Sequence, residues 1–170
     1  MKNIKTLFAV ILISVLFNGC AEHKEKGSAG EESEKMSFAL PSVSGAGTID
    51  INSFAGKPVM VFFWSANCGY CIQAMPYLES LYKKYGAKGF VVLGVNVDPP
   101  GTPVEEYLKE SKISFPVVVD RGAALFRDLG LRGIPAIFLL KKDLTLHNKW
   151  MGYHPSFHAE MEGGIEELLK

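Results

Sequence analysis

The sequence predicts an α/β fold built on a mixed central β-sheet with helices on both faces, and three observations support this. An apolar, β-branched and aromatic run at 59–64 is followed, after a short turn, by apolar residues at helical spacing. A nearly continuous apolar run at 90–97 is typical of a strand buried on both faces, which requires helices on both sides of the sheet. Near the C-terminus, the segments 136–140 and 144–150 have the pattern of an antiparallel pair. Alternating strands and helices that end in such a pair give an α/β sandwich.

Two short segments precede the first buried strand. Residues 36–43 and 47–52 alternate partly between apolar and polar residues around glycines, which predicts a strand or a hairpin. The helix after the first buried strand is expected to run from Cys68 to Tyr85 and to end at Gly86, because glycine commonly follows a helix C-terminus. Pro76 falls inside this helix, where a proline removes a backbone donor and kinks the axis.

The second half of the chain continues the alternation. After the strand at 90–97, the predicted elements are helix 102–110, strand 115–119, helix 122–129, the antiparallel pair and a final helix 156–169. Thr102 and Ser156 are the expected N-caps of the first and last of these helices, because a hydroxyl can accept a hydrogen bond from a free amide of the first turn. Gly163 and Gly164 weaken the middle of the final helix.

The N-terminus has the pattern of an export signal. Two lysines precede an apolar run at 7–17, which suits a signal peptide and is shorter than the roughly 20 residues that span a bilayer. Gly19-Cys20 resembles a bacterial lipobox, whose cysteine is diacylated, although the residues two and three positions before the cysteine depart from the usual pattern. We expect residues 1–20 to be a lipoprotein signal peptide that ends at Cys20, so that two acyl chains hold the protein on a lipid membrane. The alternatives are a short uncleaved anchor, or secretion with Cys20 discarded.

A polar segment separates this leader from the fold. Residues 21–35 hold charges, Gly and Ser but no large apolar side chain, so they are expected to form a flexible tether. Residues 36–170 remain for one folded domain, which is long enough for a single core. The chain carries 18 basic and 18 acidic residues, and this balance points away from a nucleic-acid partner.

The motif that carries chemistry is the Cys-x-x-Cys pair Cys68 and Cys71, at the joint between the strand 59–64 and the next helix. Free amides and the positive end of the dipole at a helix N-terminus stabilise a thiolate, which makes Cys68 a nucleophile. Cys71 lies about one turn below and can attack a mixed disulfide formed on Cys68. A zinc site needs four ligands, and the sequence has no second such pair; a structural disulfide across one turn closes too small a loop to stabilise much. Thiol-disulfide exchange is therefore the expected chemistry.

A set of separated motifs extends through residues 36–170. They are Trp64, Cys68-Gly69-Tyr70-Cys71, Pro76, Gly-Val-Asn-Val-Asp at 94–98 and Gly133-Ile134-Pro135. Together they resemble the TlpA and ResA group of thiol-disulfide oxidoreductases, which are thioredoxin-like proteins of the AhpC/TSA-redoxin superfamily. The resemblance implies a thioredoxin-like sandwich and the activity of a protein thiol-disulfide oxidoreductase.

The resemblance also implies roles for single residues. Cys68 would be the nucleophile and Cys71 the resolving thiol. In the family the proline that corresponds to Pro135 is cis and lies against the dithiol, and the backbone of the preceding residue pairs with substrate. We therefore predict a cis Ile134–Pro135 bond within van der Waals reach of Cys68. The expected substrate-binding residues are Trp64, Gly69, Tyr70, Ile134 and Pro135.

The partners implied by the resemblance are envelope proteins with cysteines or disulfides and a membrane electron donor. The family most often acts as a reductant, for example on the haem-site cysteines of apocytochrome c in cytochrome c maturation. This places the protein in the cell envelope, on the extracytoplasmic side of a bacterial membrane. No cofactor and no metal is expected.

Two other functions are compatible with some of these residues. The first is a thiol peroxidase, because Ser65 stands three residues before Cys68 as in the peroxiredoxin pattern, although the proline of that pattern is replaced by Val61. The second is a Cu(I) metallochaperone that binds copper through two thiolates, to which His147 or His154 could add a ligand. Copper carriers of the thioredoxin fold usually have a Cys-x-x-x-Cys spacing, which this chain lacks.

Departures from the family bear on proton transfer. Phe62 occupies the position of the buried acid of thioredoxins, Ala74 that of a glutamate common in TlpA and ResA relatives, and Asn67 that of the usual Trp. With both acids replaced, we expect water or the partner protein to accept the proton of Cys71. Asp98 precedes Pro-Pro-Gly and is assigned to turn chemistry. The histidines after the dithiol, His147, His154 and His158, are expected at the surface.

Overall fold

A five-stranded mixed sheet organises the described part of the chain. The structure is a computed structural model that describes residues 34–170. The predicted signal peptide 1–20, the predicted lipidation site Cys20 and the tether as far as residue 33 lie outside the described residues. Within residues 34–170, no helix combines the length and the apolar character needed to cross a membrane.

The strands and helices alternate as the sequence predicts. The strands are β1 (Ala39–Pro41), β2 (Thr48–Asp50), β3 (Val59–Trp64), β4 (Val91–Asn96), β5 (Val117–Val119), β6 (Ala136–Leu140) and β7 (Leu146–Met151). The helices are α1 (Gly69–Tyr85), α2 (Val104–Ser111), α3 (Ala124–Asp128) and α4 (His158–Leu168).

Strand β3 lies at the centre of the sheet, whose order is β5-β4-β3-β6-β7. Strands β4 and β5 run parallel to β3, whereas β6 is antiparallel to β3 and β7 is antiparallel to β6. Strands β1 and β2 form the predicted hairpin as a separate two-stranded sheet. The parallel register pairs Trp64 with Asn96, so the carboxyl ends of β3 and β4 meet at one edge of the sheet.

The core has two apolar clusters, one on each face of the sheet. Alternate residues of β3 belong to different clusters, as expected for a strand whose side chains point to opposite faces. Helices α1, α2 and α4 contribute buried residues to the cluster with Phe62, and α3 packs Leu125 and Phe126 against the cluster with Phe63. All six residues of β3 are buried. The mixed sheet with helices on both faces is therefore confirmed.

Helix α1 ends at Tyr85 with Gly86 as its C-cap, as predicted, although Gly86 keeps a right-handed conformation and continues into a 3₁₀ turn whose left-handed residue is Gly89 at φ 95°. Two predicted N-caps are wrong. The Thr102 hydroxyl donates to the Pro99 carbonyl at 3.0 Å instead of capping α2, because the preceding turn already engages it. Ser156 lies inside the 3₁₀ turn before α4, and the side chain of His154 caps that turn.

A buried carboxylate joins α1 to the segment before β5. Glu79 accepts hydrogen bonds from the Ser114 amide at 2.9 Å and from the Ser114 hydroxyl at 2.5 Å. Burial by itself raises the pKa of Glu79, but the hydrogen bonds from Ser114 and the neighbouring Lys83 ammonium outweigh it and hold the pKa below its ordinary value. Glu79 is therefore an ionised structural link at neutral pH.

Candidate active site

The two cysteines of the motif meet at the first turn of α1. Cys68 and Cys71 form a disulfide with a Cα–Cα distance of 5.2 Å. Cys68 is the N-cap of α1, and its Sγ accepts a hydrogen bond from the Cys71 amide at 3.2 Å. Cys68 is half-buried, whereas Cys71 is fully buried. An approaching thiol or disulfide can therefore reach Cys68, and Cys71 is held beneath it.

The turn between β3 and α1 presents Cys68 to solvent. Cys68 has extended backbone angles, and its amide donates to the Ser65 carbonyl at 3.2 Å. Its own carbonyl accepts from the Ile72 amide at 3.0 Å, which starts the helix. The sulfur thus lies where the free amides and the positive end of the helix dipole favour a negative charge.

A buried carboxylate at the end of β4 holds this turn. Asp98 is 6% exposed, and its oxygens accept from the Ser65 hydroxyl at 2.5 Å, the Ala66 amide at 2.8 Å and the Asn96 side-chain amide at 2.7 Å. The Ser65 hydroxyl in turn accepts from the Asn67 amide at 3.1 Å. The assignment of Asp98 to local turn chemistry is therefore wrong. Asp98 reaches across from the neighbouring strand because the carboxyl ends of β3 and β4 lie side by side.

A groove lies beside the dithiol. The Ile134–Pro135 peptide bond is cis, as predicted. Pro135 and Tyr70 both line a cavity of about 330 Å³ whose wall is completed by Ile134, Met151, Gly152, Tyr153, His154 and Phe157. Tyr70 is 63% exposed and stands between the two cysteines in the sequence. Tyr70 thus connects the groove to the Cys-x-x-Cys motif, and the groove lining is mainly apolar.

The structure brings most of the predicted site residues together. Tyr70, Ile134 and Pro135 share the groove, and Gly69 is exposed in the first turn of α1. Trp64 differs from the expectation, because its side chain is fully buried and packs against Tyr107, with ring centroids 5.6 Å apart. Trp64 is therefore part of the core in this conformation and is not available for direct contact with a substrate.

The segment 151–158 was not predicted as part of the site. His154, which was expected only at the surface, is exposed but also lines the groove next to Tyr70 and Pro135. His158 is partly buried, with its ring stacked on Tyr77 at 3.5 Å and its Nε2 2.8 Å from the Tyr153 hydroxyl. Burial and the nearby negative charge of Glu162 raise the pKa of Tyr77, which keeps its hydroxyl protonated. This ring cluster anchors one wall of the groove to α1.

The two positions at which relatives carry an acid hold apolar residues that are closed to solvent. Phe62 and Ala74 are both fully buried. Among residues 34–170, no group of three or more His, Cys, Asp or Glu side chains is arranged to hold a metal ion. The arrangement of half-buried Cys68, buried Cys71 and adjacent groove is suited to forming and resolving a mixed disulfide with another protein chain.

Comparison with known proteins agrees with this geometry. Residues 31–156 match the Redoxin family. The whole chain is 30% identical to the thiol-disulfide oxidoreductase ResA of Bacillus cereus, of which it covers 98%. It is 27% identical to ResA of Halalkalibacterium halodurans, with 99% of this chain and 90% of that protein covered.

Solved structures show the same fold. A chain described as the thiol:disulfide interchange protein DsbE of Chlorobium tepidum is 29% identical and superposes with a TM-score of 0.76, covering 81% of this chain and 97% of the other. A second thioredoxin family protein of Chlorobium tepidum TLS, at 22% identity, shares the fold with a TM-score of 0.72, over 84% of this chain and 100% of the other. The chain thus belongs to the Redoxin family and is a thioredoxin-like thiol-disulfide oxidoreductase of the TlpA/ResA type.

Proposed function

We propose that this protein is a lipid-anchored reductase of disulfides in other proteins of the bacterial cell envelope. Cys68 is the nucleophile, Cys71 is the resolving thiol, and the groove beside Tyr70 and Pro135 receives the substrate chain. The observation that carries the proposal is the pairing of a reachable Cys68 with a fully buried Cys71 at the N-terminus of α1.

The exchange has two steps. The Cys68 thiolate attacks a sulfur of the substrate disulfide, which forms a mixed disulfide and releases one substrate thiolate. Cys71 then loses its proton and attacks Cys68 Sγ, which releases the second substrate thiolate. The substrate gains two electrons and two protons, and the Cys68–Cys71 pair loses them and becomes the disulfide. A membrane electron donor of the dithiol class returns the pair to the reduced state.

The groove and the relatives suggest the class of substrate. An apolar groove next to the dithiol suits an extended segment with an apolar or aromatic side chain near its cysteine. Relatives named thiol-disulfide oxidoreductase ResA support disulfide exchange as the reaction. We propose the cysteine pair of a haem-attachment site in apocytochrome c as the substrate, and Cys20 as the lipidated residue that keeps the enzyme at the membrane.

Neither alternative function gains support from a specific contact. The Ser65 hydroxyl, on which the comparison with peroxidases depends, donates to Asp98 and accepts from the Asn67 amide. His147 lies 4.0 Å from Glu167 and His154 faces the groove wall, so neither is paired with the two sulfurs by any observed contact. Peroxide consumption and Cu(I) titration by the reduced protein test the two alternatives.

The redox state of the pair in growing cells tests the proposed direction of electron flow. Acid quenching followed by maleimide labelling separates the dithiol from the disulfide form of the full chain. A reductase that is supplied with electrons is expected to be mainly in the dithiol form, and to shift to the disulfide when its membrane donor is removed. A pool that is entirely disulfide in unperturbed cells would contradict the reductive direction.

A further inference from the structure

The carboxylate of Asp98 accepts two hydrogen bonds from the turn that leads to Cys68 and a third from the Asn96 side chain. Asp98 lies two residues after the end of β4, more than thirty positions along the chain from Ser65 and Ala66, which it contacts. It is buried, and its own amide is fixed by the Asn96 side-chain oxygen at 3.1 Å. A buried charge of this kind is costly unless well-placed hydrogen-bond donors surround it. The groups that donate to Asp98 are therefore held close to its carboxylate.

Ser65 connects Asp98 to the cysteine by hydrogen bonds. Its hydroxyl donates to Asp98 and accepts from the Asn67 amide, and its carbonyl accepts from the Cys68 amide. Every residue of the turn between β3 and α1 is therefore bonded either to Asp98 or to Ser65. The side chain of Cys68 is in turn placed within 3.2 Å of the Cys71 amide.

We propose that Asp98 and Ser65 are positioning residues that hold the Cys68 sulfur at the free amides of α1. This inference rests on the proposed role of Cys68 as the nucleophile. In the reduced protein the contact with the Cys71 amide becomes a charge-assisted hydrogen bond to a thiolate, which is stronger than the same bond to a neutral group. A loosened turn lets the sulfur leave this position, so a smaller fraction of Cys68 is thiolate at neutral pH.

In the alternative role, Asp98 acts on Cys68 only through its negative charge, and the expected effect on the reactivity of Cys68 is the opposite. A negative charge near Cys68 disfavours the thiolate, so its removal would make Cys68 more reactive. Asp98→Asn removes the charge and replaces one of the two acceptor oxygens by an amide donor, whereas Ser65→Ala removes only the hydroxyl that bonds to Asp98 and the Asn67 amide. Neither substitution alters the other charged groups that line the same cavity as Asp98, which are Glu105, Glu106, Lys109 and Arg121.

The test measures the reaction of Cys68 with iodoacetamide in the reduced full chain. Peptide mass spectrometry reads the modification of Cys68 separately from that of Cys71 and Cys20. We expect Ser65→Ala and Asp98→Asn each to lower the rate at pH 7 by about fivefold to tenfold, because a hydrogen bond to a charged group is lost or weakened. We also expect the midpoint of the pH profile of alkylation to move upward. Ser65→Thr keeps the hydroxyl and should stay within twofold of the wild type.

Ser114→Ala is the matched control. It removes a hydroxyl that donates at the same distance of 2.5 Å to a different buried carboxylate, Glu79, which lies eleven residues after Cys68 along α1. It should lower the melting temperature but leave the alkylation rate of Cys68 within twofold of the wild type. All rates are compared well below each variant's melting temperature, so that a loss of stability alone does not affect them.

The inference is overturned if Ser65→Ala reacts at the wild-type rate, or if Asp98→Asn reacts faster than the wild type. It is also overturned if Ser114→Ala slows Cys68 as much as Ser65→Ala does, because the effect would then not be specific to the turn before Cys68. Exchange by the wild-type protein with a disulfide peptide is measured in parallel. If that exchange proceeds through Cys68 while Ser65→Ala behaves like the wild type, the proposed function stands and only the positioning role fails.

Discussion

Replacement of Cys68 by serine is expected to lower the rate of disulfide exchange about a thousandfold or more, since the attacking nucleophile itself is removed. A serine hydroxyl at this position remains protonated at neutral pH and cannot form a mixed disulfide with a substrate sulfur. The helix amides that favour a thiolate then have no anion to stabilise. The measurement is the rate at which the reduced full chain opens an oxidised Cys-x-x-Cys-His peptide, followed by mass spectrometry.

Ser80→Ala supplies the control for this experiment. Ser80 is exposed on the same helix, and its hydroxyl donates only to the Tyr77 carbonyl one turn earlier. This variant should keep the wild-type rate. Exchange by Cys68→Ser at more than about a tenth of the wild-type rate would assign the nucleophile to another sulfur and would contradict the proposed site.

Alanine at the two neighbouring glycines of α4 is expected to have opposite effects on stability. A Cβ on Gly164 would lie 2.8 Å from Leu139 Cδ2, in a strand that is fully buried, whereas a Cβ on Gly163 meets nothing within 4 Å. Gly163→Ala should raise the free energy of unfolding by about 0.5–1 kcal/mol through helix propensity and the lower entropy of the unfolded chain. Gly164→Ala should lower the free energy of unfolding by about 1–2 kcal/mol, because the cost of overpacking against Leu139 exceeds the same gain in helix propensity and unfolded-chain entropy.

Urea denaturation of the two variants and the wild type measures this difference directly. Each variant acts as the control for the other, because both exchange the same residue types in the same helix. Equal stabilisation by both substitutions would show that α4 can move away from Leu139 without cost. The packing of α4 on the sheet would then be looser than the structure indicates.

The elements of the fold could be predicted from sequence where the signal is local. The run Val59–Trp64 is apolar at every position and coincides with β3, because a central strand covered on both faces leaves no position for a polar side chain. Helix caps were predicted less well. Thr102 and Ser156 are suitable residue types, but each lies in a tight turn whose own hydrogen bonds engage it before the helix begins.

The site residues differ in the same way, because some belong to short motifs and others reach the site only through long-range contacts. The Cys68–Cys71 pair was predicted from its short motif, and the cis bond before Pro135 was predicted from the family resemblance that Gly133-Ile134-Pro135 helps to carry. Asp98 and His154 could not be assigned in this way. Asp98 reaches Ser65 only through the parallel register of β3 and β4, and His154 joins the groove only through the path of the segment after β7. An acid at the carboxyl end of a strand next to the motif strand was the one available signal.

The most direct test of the account is to trap the reaction halfway with Cys71→Ser. Reduced Cys71→Ser protein is mixed with the oxidised Cys-x-x-Cys-His peptide and analysed without reducing agent. With Cys68 as the nucleophile and Cys71 as the resolving thiol, we expect a stable one-to-one adduct whose disulfide joins the peptide to Cys68, while the wild type releases a reduced peptide and leaves the Cys68–Cys71 disulfide. The absence of an adduct, or an adduct through a residue other than Cys68, would contradict it.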